Sequence, residues 1–65
     1  MDDKVIEFKF TDVRGQEHIL YSKHGIAIDF HDNGAISAIT KTPGKQRSLV
    51  AAPGAWIAYR LEFAD

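Results

Sequence analysis

Histidine and aspartate residues near the middle of the chain are the first candidates for chemistry. Asp29 and His31 are two residues apart, so in a regular strand their side chains share one face and could ligate a metal together. His18 and His24 lie on other segments, and two ligands do not complete a metal site. We therefore interpret the histidines as surface residues beside turns, and we expect neither a metal nor a cofactor.

Recognisable catalytic motifs are absent from the sequence. The chain contains no cysteine, and Ser22, Ser37 and Ser48 lie in strand or loop patterns rather than in the sharp turn that positions a nucleophilic serine. The glycines do not form a phosphate-binding loop ahead of a helix. A chain of 65 residues also has little volume for a pocket once its core is filled. We therefore expect a protein that is not an enzyme.

A basic stretch is the best positive indication of binding. Lys41, Lys45 and Arg47 surround a Thr-Pro-Gly turn and offer cationic donors to phosphate or carboxylate groups. Trp56 and Tyr59, if they are exposed nearby, could stack nucleic-acid bases. The alternative is a solvated basic loop, with both aromatic residues in the core. The net charge of −1 makes three basic residues a weak electrostatic footprint for a polyanion.

The aromatic content suggests a second kind of binding. If the sheet does not close, some aromatic side chains remain on an apolar face, and such faces and unpaired strand edges are where proteins associate. A partner would then bind by adding a strand to the sheet. If the sheet closes, all of the aromatic residues can fill a compact barrel. They are Phe8, Phe10, Tyr21, Phe30, Trp56, Tyr59 and Phe63.

The rest of the chain is organised around the segment 25–40, and the pattern of this segment predicts one β-hairpin. Apolar and polar residues alternate on both sides of an Asp-Asn-Gly turn. A three-residue loop with Gly34 in the left-handed conformation pairs Phe30 with Ile36, whereas a two-residue loop pairs Phe30 with Ser37. Because apolar residues should face apolar residues, we predict the three-residue loop.

Further strands are predicted at 5–11, 17–22 and 56–63, and residues 46–50 are predicted to be a short strand or an extended segment. The segment 56–63 also has aromatic residues at helical spacing, but its alternation extends further than the helical match, so we predict a strand. Tight turns separate the strands at Asp12–Gly15, Thr42–Lys45 and Ala52–Ala55.

The face of the 17–22 strand is ambiguous, because Ile19, Leu20 and Tyr21 are all apolar. Pairing Ile19 with Phe10 and Tyr21 with Phe8 would bring β-branched and aromatic residues together. Leu20 would then lie on the opposite face and would need cover from a closed barrel edge or a partner.

The fold that these patterns predict is all-β and occupies residues 1–65 as a single small domain. It is an antiparallel β-meander of five or six strands, which closes into a small barrel or a strongly twisted sheet. A core of this size rarely supplies more than about 3–5 kcal/mol of net stability, which is a general reason to suspect association. The lack of cysteine, of a signal-peptide layout and of an apolar run long enough to span a bilayer favours a cytoplasmic protein without membrane contact.

Two functions remain open for such a domain. The first is a non-catalytic protein–protein interaction module, of adaptor or inhibitor type, which binds another protein or its own copy through a sheet edge and an apolar patch. The second is a small nucleic-acid-binding β-barrel that uses the basic loop and aromatic stacking. The predicted contact residues are Lys41, Lys45, Arg47, Trp56 and Tyr59.

Overall fold

A computed structural model describes residues 4–64, and these residues form six β-strands without a helix. The prediction of an all-β chain is confirmed, including a strand rather than a helix after residue 55. The strands are β1 (Val5–Asp12), β2 (Glu17–Tyr21), β3 (Ile26–Phe30), β4 (Ile36–Thr40), β5 (Ser48–Ala51) and β6 (Trp56–Phe63).

The six strands form two antiparallel three-stranded sheets rather than one continuous meander. The first sheet has the order β2-β1-β6 and the second has the order β3-β4-β5. The consecutive strands β2 and β3 are not paired, and β6 returns to pair with β1. In the described part of the chain the two sheets therefore do not join into a closed barrel.

The β3–β4 hairpin has the predicted three-residue loop. The N–H of His31 donates to the carbonyl of Ala35 over 2.9 Å, and the N–H of Gly34 donates back to the carbonyl of His31 over 3.0 Å. Gly34 has φ of +94°, a conformation that glycine adopts without strain. The register pairs Phe30 with Ile36, as the apolar pattern predicts.

The β1–β2 hairpin closes with the same three-residue loop geometry, and this loop determines which residues of the two strands pair. The N–H of Asp12 donates to the carbonyl of Gln16 over 2.9 Å, and this register pairs Phe8 with Leu20. Leu20 is therefore buried at 6 % exposure, whereas Tyr21 is 59 % exposed. The pairing considered from the sequence, Phe8 with Tyr21 and Phe10 with Ile19, differs from this register by one residue, which reverses the faces of β2.

The core lies between the two sheets. β1 lies over β3, and β2 lies over β4 and β5. β6, on the far side of β1, therefore projects past the edge of the second sheet. The buried apolar side chains are Phe8, Phe10, Leu20, Ile26, Ile36, Ala38 and Ala51.

Two irregularities interrupt the pairing of β1 with β6. The register shifts between Val5 and Glu7, which leaves Ile6 as the extra residue of β1. As a result Val5, rather than Ile6, packs against the core. The register shifts again beside Ile57, the extra residue of β6, and its side chain is exposed.

Candidate binding surfaces

The basic loop, residues 41–47, is anchored at its base by two hydrogen bonds. The N–H of Thr40 donates to the carbonyl of Arg47, and the N–H of Arg47 donates to Oγ1 of Thr40, both over 2.9 Å. Thr40 is buried, whereas Lys41, Lys45 and Arg47 are exposed. The loop ends are thus fixed while its cations face solvent.

The connector between β2 and β3 packs against this loop. Oγ of Ser22 lies 3.1 Å from Oγ1 of Thr42, and the N–H of Lys41 donates to the carbonyl of Gly25 over 3.0 Å. Gly25 has φ of +106°, and a Cβ at this position would lie 3.1 Å from the side chain of Lys4 and 3.7 Å from that of Lys41. The aliphatic parts of both lysines therefore cover Gly25.

These contacts gather positive charge at one end of the molecule. We call this region the basic end, and its cations are Lys4, Lys23, Lys41, Lys45 and Arg47. They are five of the eight lysine and arginine residues in the chain. The ion pairs found among residues 4–64 involve Lys9 with Glu17 and His18 with Asp12, so none of the five cations is paired there.

A cleft of about 370 Å³ opens between the edge strands β2 and β5, next to the basic end. Neither edge has a strand neighbour on the cleft side. Ile19 and Tyr21, on either side of the inward-facing Leu20, are both more than half exposed. The residues that line this β2–β5 cleft are Ile19, Leu20, Tyr21, Arg47, Ser48 and Leu49.

Backbone groups are also free along the two edges that border the cleft. Backbone N–H and C=O groups alternate in direction along a strand, so one known hydrogen bond tells which residues face the paired strand. The hydrogen bonds that close the adjoining loops supply this information for β2 and β5. The N–H and C=O groups of Ile19, Tyr21 and Ser48 therefore point away from β1 and β4. The β2–β5 cleft can offer an extended polypeptide both backbone hydrogen bonds and apolar contacts.

Three aromatic side chains form a cluster at the opposite end of the second sheet. The ring centroids of Phe30 and Tyr59 are 5.4 Å apart, and those of Trp56 and Tyr59 are 5.6 Å apart. Nε1 of Trp56 donates to the carbonyl of Gly34 over 2.8 Å. This aromatic cluster links β6 of the first sheet to the β3–β4 loop of the second.

The structure does not bring the basic loop and the aromatic cluster together. Gly34 precedes β4 and the basic loop follows it, so the length of this strand, roughly 14 Å, separates them. The predicted contact residues therefore fall on two surfaces. Lys41, Lys45 and Arg47 lie on the basic loop, and Trp56 and Tyr59 lie in the aromatic cluster.

Tyr21 is the aromatic residue that lines the β2–β5 cleft together with Arg47. The sequence interpretation missed it, because the pairing of Tyr21 with Phe8 that it considered would turn Tyr21 toward the core. The signal that could have found it is the position of the loop glycine: Gly15 follows Asp12 by three residues as Gly34 follows His31, which favours a three-residue loop in both hairpins.

Two of the histidines, His18 and His31, are hydrogen-bonded to other side chains of the chain. Nε2 of His18 lies 2.9 Å from Oδ2 of Asp12, and its ring stacks on Phe10 with centroids 4.6 Å apart. Nε2 of His31 is hydrogen-bonded to Oγ of Ser37. Among residues 4–64, no group of three or more histidine, aspartate or glutamate side chains is placed to hold a metal ion.

The carboxylate of Asp12 makes the stability of the β1–β2 loop dependent on pH. Its Oδ1 accepts hydrogen bonds from the N–H groups of Arg14 and Gln16, both over 2.9 Å. The hydrogen bond to His18, followed by that to Gln16, lowers the pKa of Asp12 below its usual value of 3.8. Folding therefore favours the ionised carboxylate, and this stabilisation is lost as the pH falls below about 4.

We expect the Asp12→Asn variant to lose less stability than the wild type between about pH 5 and pH 2. The asparagine keeps an oxygen acceptor for the loop but carries no charge to titrate. Urea unfolding followed at several pH values measures the difference. Parallel stability curves for the two proteins would show that Asp12 is not stabilised in its ionised form.

No helix in residues 4–64 has the length and apolar character needed to cross a membrane. No protein-family model, characterised protein or solved structure matches the chain. Function must therefore be argued from the surfaces described above.

Proposed function

We propose that this chain is a small non-catalytic protein-interaction module, of adaptor or inhibitor type, which binds an extended acidic segment of a partner protein. The observation that carries this proposal is the β2–β5 cleft, where apolar side chains, free backbone groups and the basic end meet. A chain without cysteine suits a reducing compartment, and we propose a cytoplasmic location on that ground.

In this proposal the partner segment runs along the free edge of β2. Its backbone forms hydrogen bonds with Ile19 and Tyr21, which is the usual mode of strand addition. One of its apolar side chains enters the cleft beside Leu49. A carboxylate of the segment pairs with Arg47, whose planar guanidinium can donate two parallel hydrogen bonds. The cations of the basic end favour an acidic segment over a basic one.

The same segment would cover one of the two sides on which the sheets remain unjoined. β2 and β5 both lack a neighbour there. The edges of β6 and β3, on the other side, would stay unpaired.

The Arg47→Glu variant tests the cleft. A library of displayed natural peptides is selected on the immobilised chain, and we expect enrichment of extended sequences in which Asp or Glu flanks a large apolar residue. Against a synthetic peptide of this type, Arg47→Glu should weaken binding roughly tenfold or more, because it replaces an attractive contact with a repulsive one. Fluorescence polarisation measures the dissociation constant.

The matched control is Arg14→Glu, which makes the same charge change in the exposed β1–β2 loop, away from the cleft. It should leave the affinity nearly unchanged. An equal loss in both variants would indicate a general charge effect and would contradict binding in the cleft. A selection that enriches no acidic and apolar sequences would contradict the proposal itself.

A nucleic-acid-binding small β-barrel is the second proposal. The five cations of the basic end favour it, and Tyr21 could act as the stacking platform beside Arg47. It has less support, because Tyr21 is the one aromatic residue among the six that line the cleft and the aromatic cluster lies at the other end of the sheet. It predicts binding to single-stranded oligonucleotides that weakens steeply with salt and is lost when Lys41, Lys45 and Arg47 are changed to Ala. Lack of binding at low salt would exclude it.

A further inference from the structure

β6 is the longest of the edge strands, at eight residues, and part of its backbone is unpaired. The N–H of Ala64 donates to the carbonyl of Lys4 over 2.8 Å, so the backbone groups of Ala64 face β1. Because these groups alternate in direction along a strand, those of Tyr59, Leu61 and Phe63 face away from β1. Three successive pairs of donors and acceptors therefore lie along the free edge.

The side chains of the same three residues form an apolar row on the face toward the second sheet. Leu61 packs against the core, but Tyr59 is 45 % exposed and Phe63 is 51 % exposed. Both side chains stay about half exposed, although the ring of Tyr59 contacts that of Phe30 on β3. The edge thus combines free backbone groups with uncovered apolar surface.

The charged residues on the other face of β6 lie opposite like charges. Arg60 is opposite Lys9, and Glu62 is opposite Glu7. Like charges directly across a sheet are destabilising. Lys9 is paired with Glu17, whereas Arg60 and Glu62 form no ion pair within residues 4–64. Opposite charges on the free side of β6 would stabilise both residues.

We propose that β6 pairs antiparallel with β6 of a second copy of the chain, about a twofold axis through Leu61. In this register Arg60 lies opposite Glu62 of the second copy, and Glu62 lies opposite its Arg60. Tyr59 likewise lies opposite Phe63 of the second copy, which makes an aromatic cross-strand pair. The two first sheets become one sheet of six strands.

A second copy fits this edge better than an unrelated strand, because the sequence around Leu61 is self-complementary. Arg60 and Glu62, one residue from Leu61 on either side, carry opposite charges. Tyr59 and Phe63, two residues from Leu61 on either side, are both aromatic. Across a twofold axis, a residue that contacts a second residue of the partner is itself contacted by that residue's equivalent. The residues on the two sides of Leu61 must therefore complement each other. β6 and β2 are opposite edges of the sheet, so the inference does not depend on the function proposed for the β2–β5 cleft.

Charge exchange at the edge tests the dimer. In the Glu62→Arg variant, the new arginine of each copy lies opposite Arg60 of the other copy. In the Arg60→Glu variant, the new glutamate of each copy lies opposite Glu62 of the other copy. Each single variant should raise the dimer dissociation constant roughly tenfold or more, and the double variant Arg60→Glu/Glu62→Arg should restore it. Sedimentation equilibrium over a range of concentrations measures these constants.

None of these variants should impair folding. Both residues are exposed, and each exchange gives β6 a charge opposite to that of its neighbour on β1. Circular dichroism checks that each monomer is folded. A wild-type chain that stays monomeric at millimolar concentration would overturn the proposal. A dimer that none of the exchanges weakens, or that the double variant fails to restore, would overturn it as well.

Hydrogen exchange identifies the edge independently. The amides of Tyr59, Leu61 and Phe63 should exchange more slowly as the protein concentration rises, because dimer formation gives them acceptors. The free amides of Ile19 and Tyr21 on β2 are the internal control and should exchange at a constant rate. Protection on β2 instead of β6 would contradict the proposed pairing.

Discussion

Phe8→Ala is expected to leave a large fraction of the molecules unfolded at room temperature. The side chain of Phe8 is 0 % exposed, and it lies on β1, the central strand of the first sheet. Removing a buried phenylalanine side chain costs about 3–5 kcal/mol, because apolar burial is lost and a cavity remains. A core of this size supplies about the same amount of net stability. The variant therefore removes nearly the whole margin by which the native state is favoured.

Far-ultraviolet circular dichroism during urea titration measures this loss. Val50→Ala is the control, because Val50 is 61 % exposed on the second sheet and its truncation should cost less than about 1 kcal/mol. If Phe8→Ala were no more destabilised than Val50→Ala, Phe8 could not occupy the centre of the core.

Trp56→Ala is expected to lower the free energy of unfolding by about 2–3 kcal/mol. Trp56 packs against the core and contacts the ring of Tyr59 edge-on, at a centroid distance of 5.6 Å. Its Nε1–H also donates to the carbonyl of Gly34 over 2.8 Å. The variant therefore loses both apolar burial and a hydrogen bond that connects the two sheets.

Trp56→Phe separates these two contributions. Phenylalanine keeps most of the apolar contact but has no donor for the carbonyl of Gly34, so we expect a loss of about 1 kcal/mol. Both variants lack tryptophan, because the chain has only one, so thermal unfolding is followed by circular dichroism rather than by tryptophan fluorescence. If Trp56→Phe were as stable as the wild type, the hydrogen bond to Gly34 would not contribute in solution.

The β3–β4 hairpin shows where sequence patterns are sufficient. Phe30 and Ile36 can face each other in only one of the two candidate loops, and the other loop places Ser37 opposite Phe30. Apolar matching therefore selects one register, and the structure has it. The same reasoning identifies β6 as a strand, because its alternation continues over eight residues.

The β1–β2 hairpin shows where those patterns fail. Ile19, Leu20 and Tyr21 are consecutive and all apolar, so alternation does not say which face of β2 is buried. Loop geometry decides instead, and it turns Leu20 inward. The irregular pairing beside Ile6 and Ile57 also has no local signal, because it depends on how β6 meets β1.

The binding surfaces are harder to predict, since they depend on contacts between distant segments. Tyr21 and Arg47 line one cleft, although 26 positions separate them in the sequence and their strands are not paired. Trp56 reaches Gly34 only because β6 returns to the first sheet beside β1. The sequence identifies residues that suit binding, whereas the arrangement of strand edges determines which of them act together.

The position of β1 between β2 and β6 has a consequence for synthesis of the protein. β2 is the neighbour of β1 in the sequence, but β6 becomes available only after residues 56–63 have left the ribosome. Until then a nascent chain exposes one whole side of β1, and contacts between such distant segments form slowly. Premature termination before residue 56 would leave that side open permanently, so truncated products should be prone to aggregation and degradation.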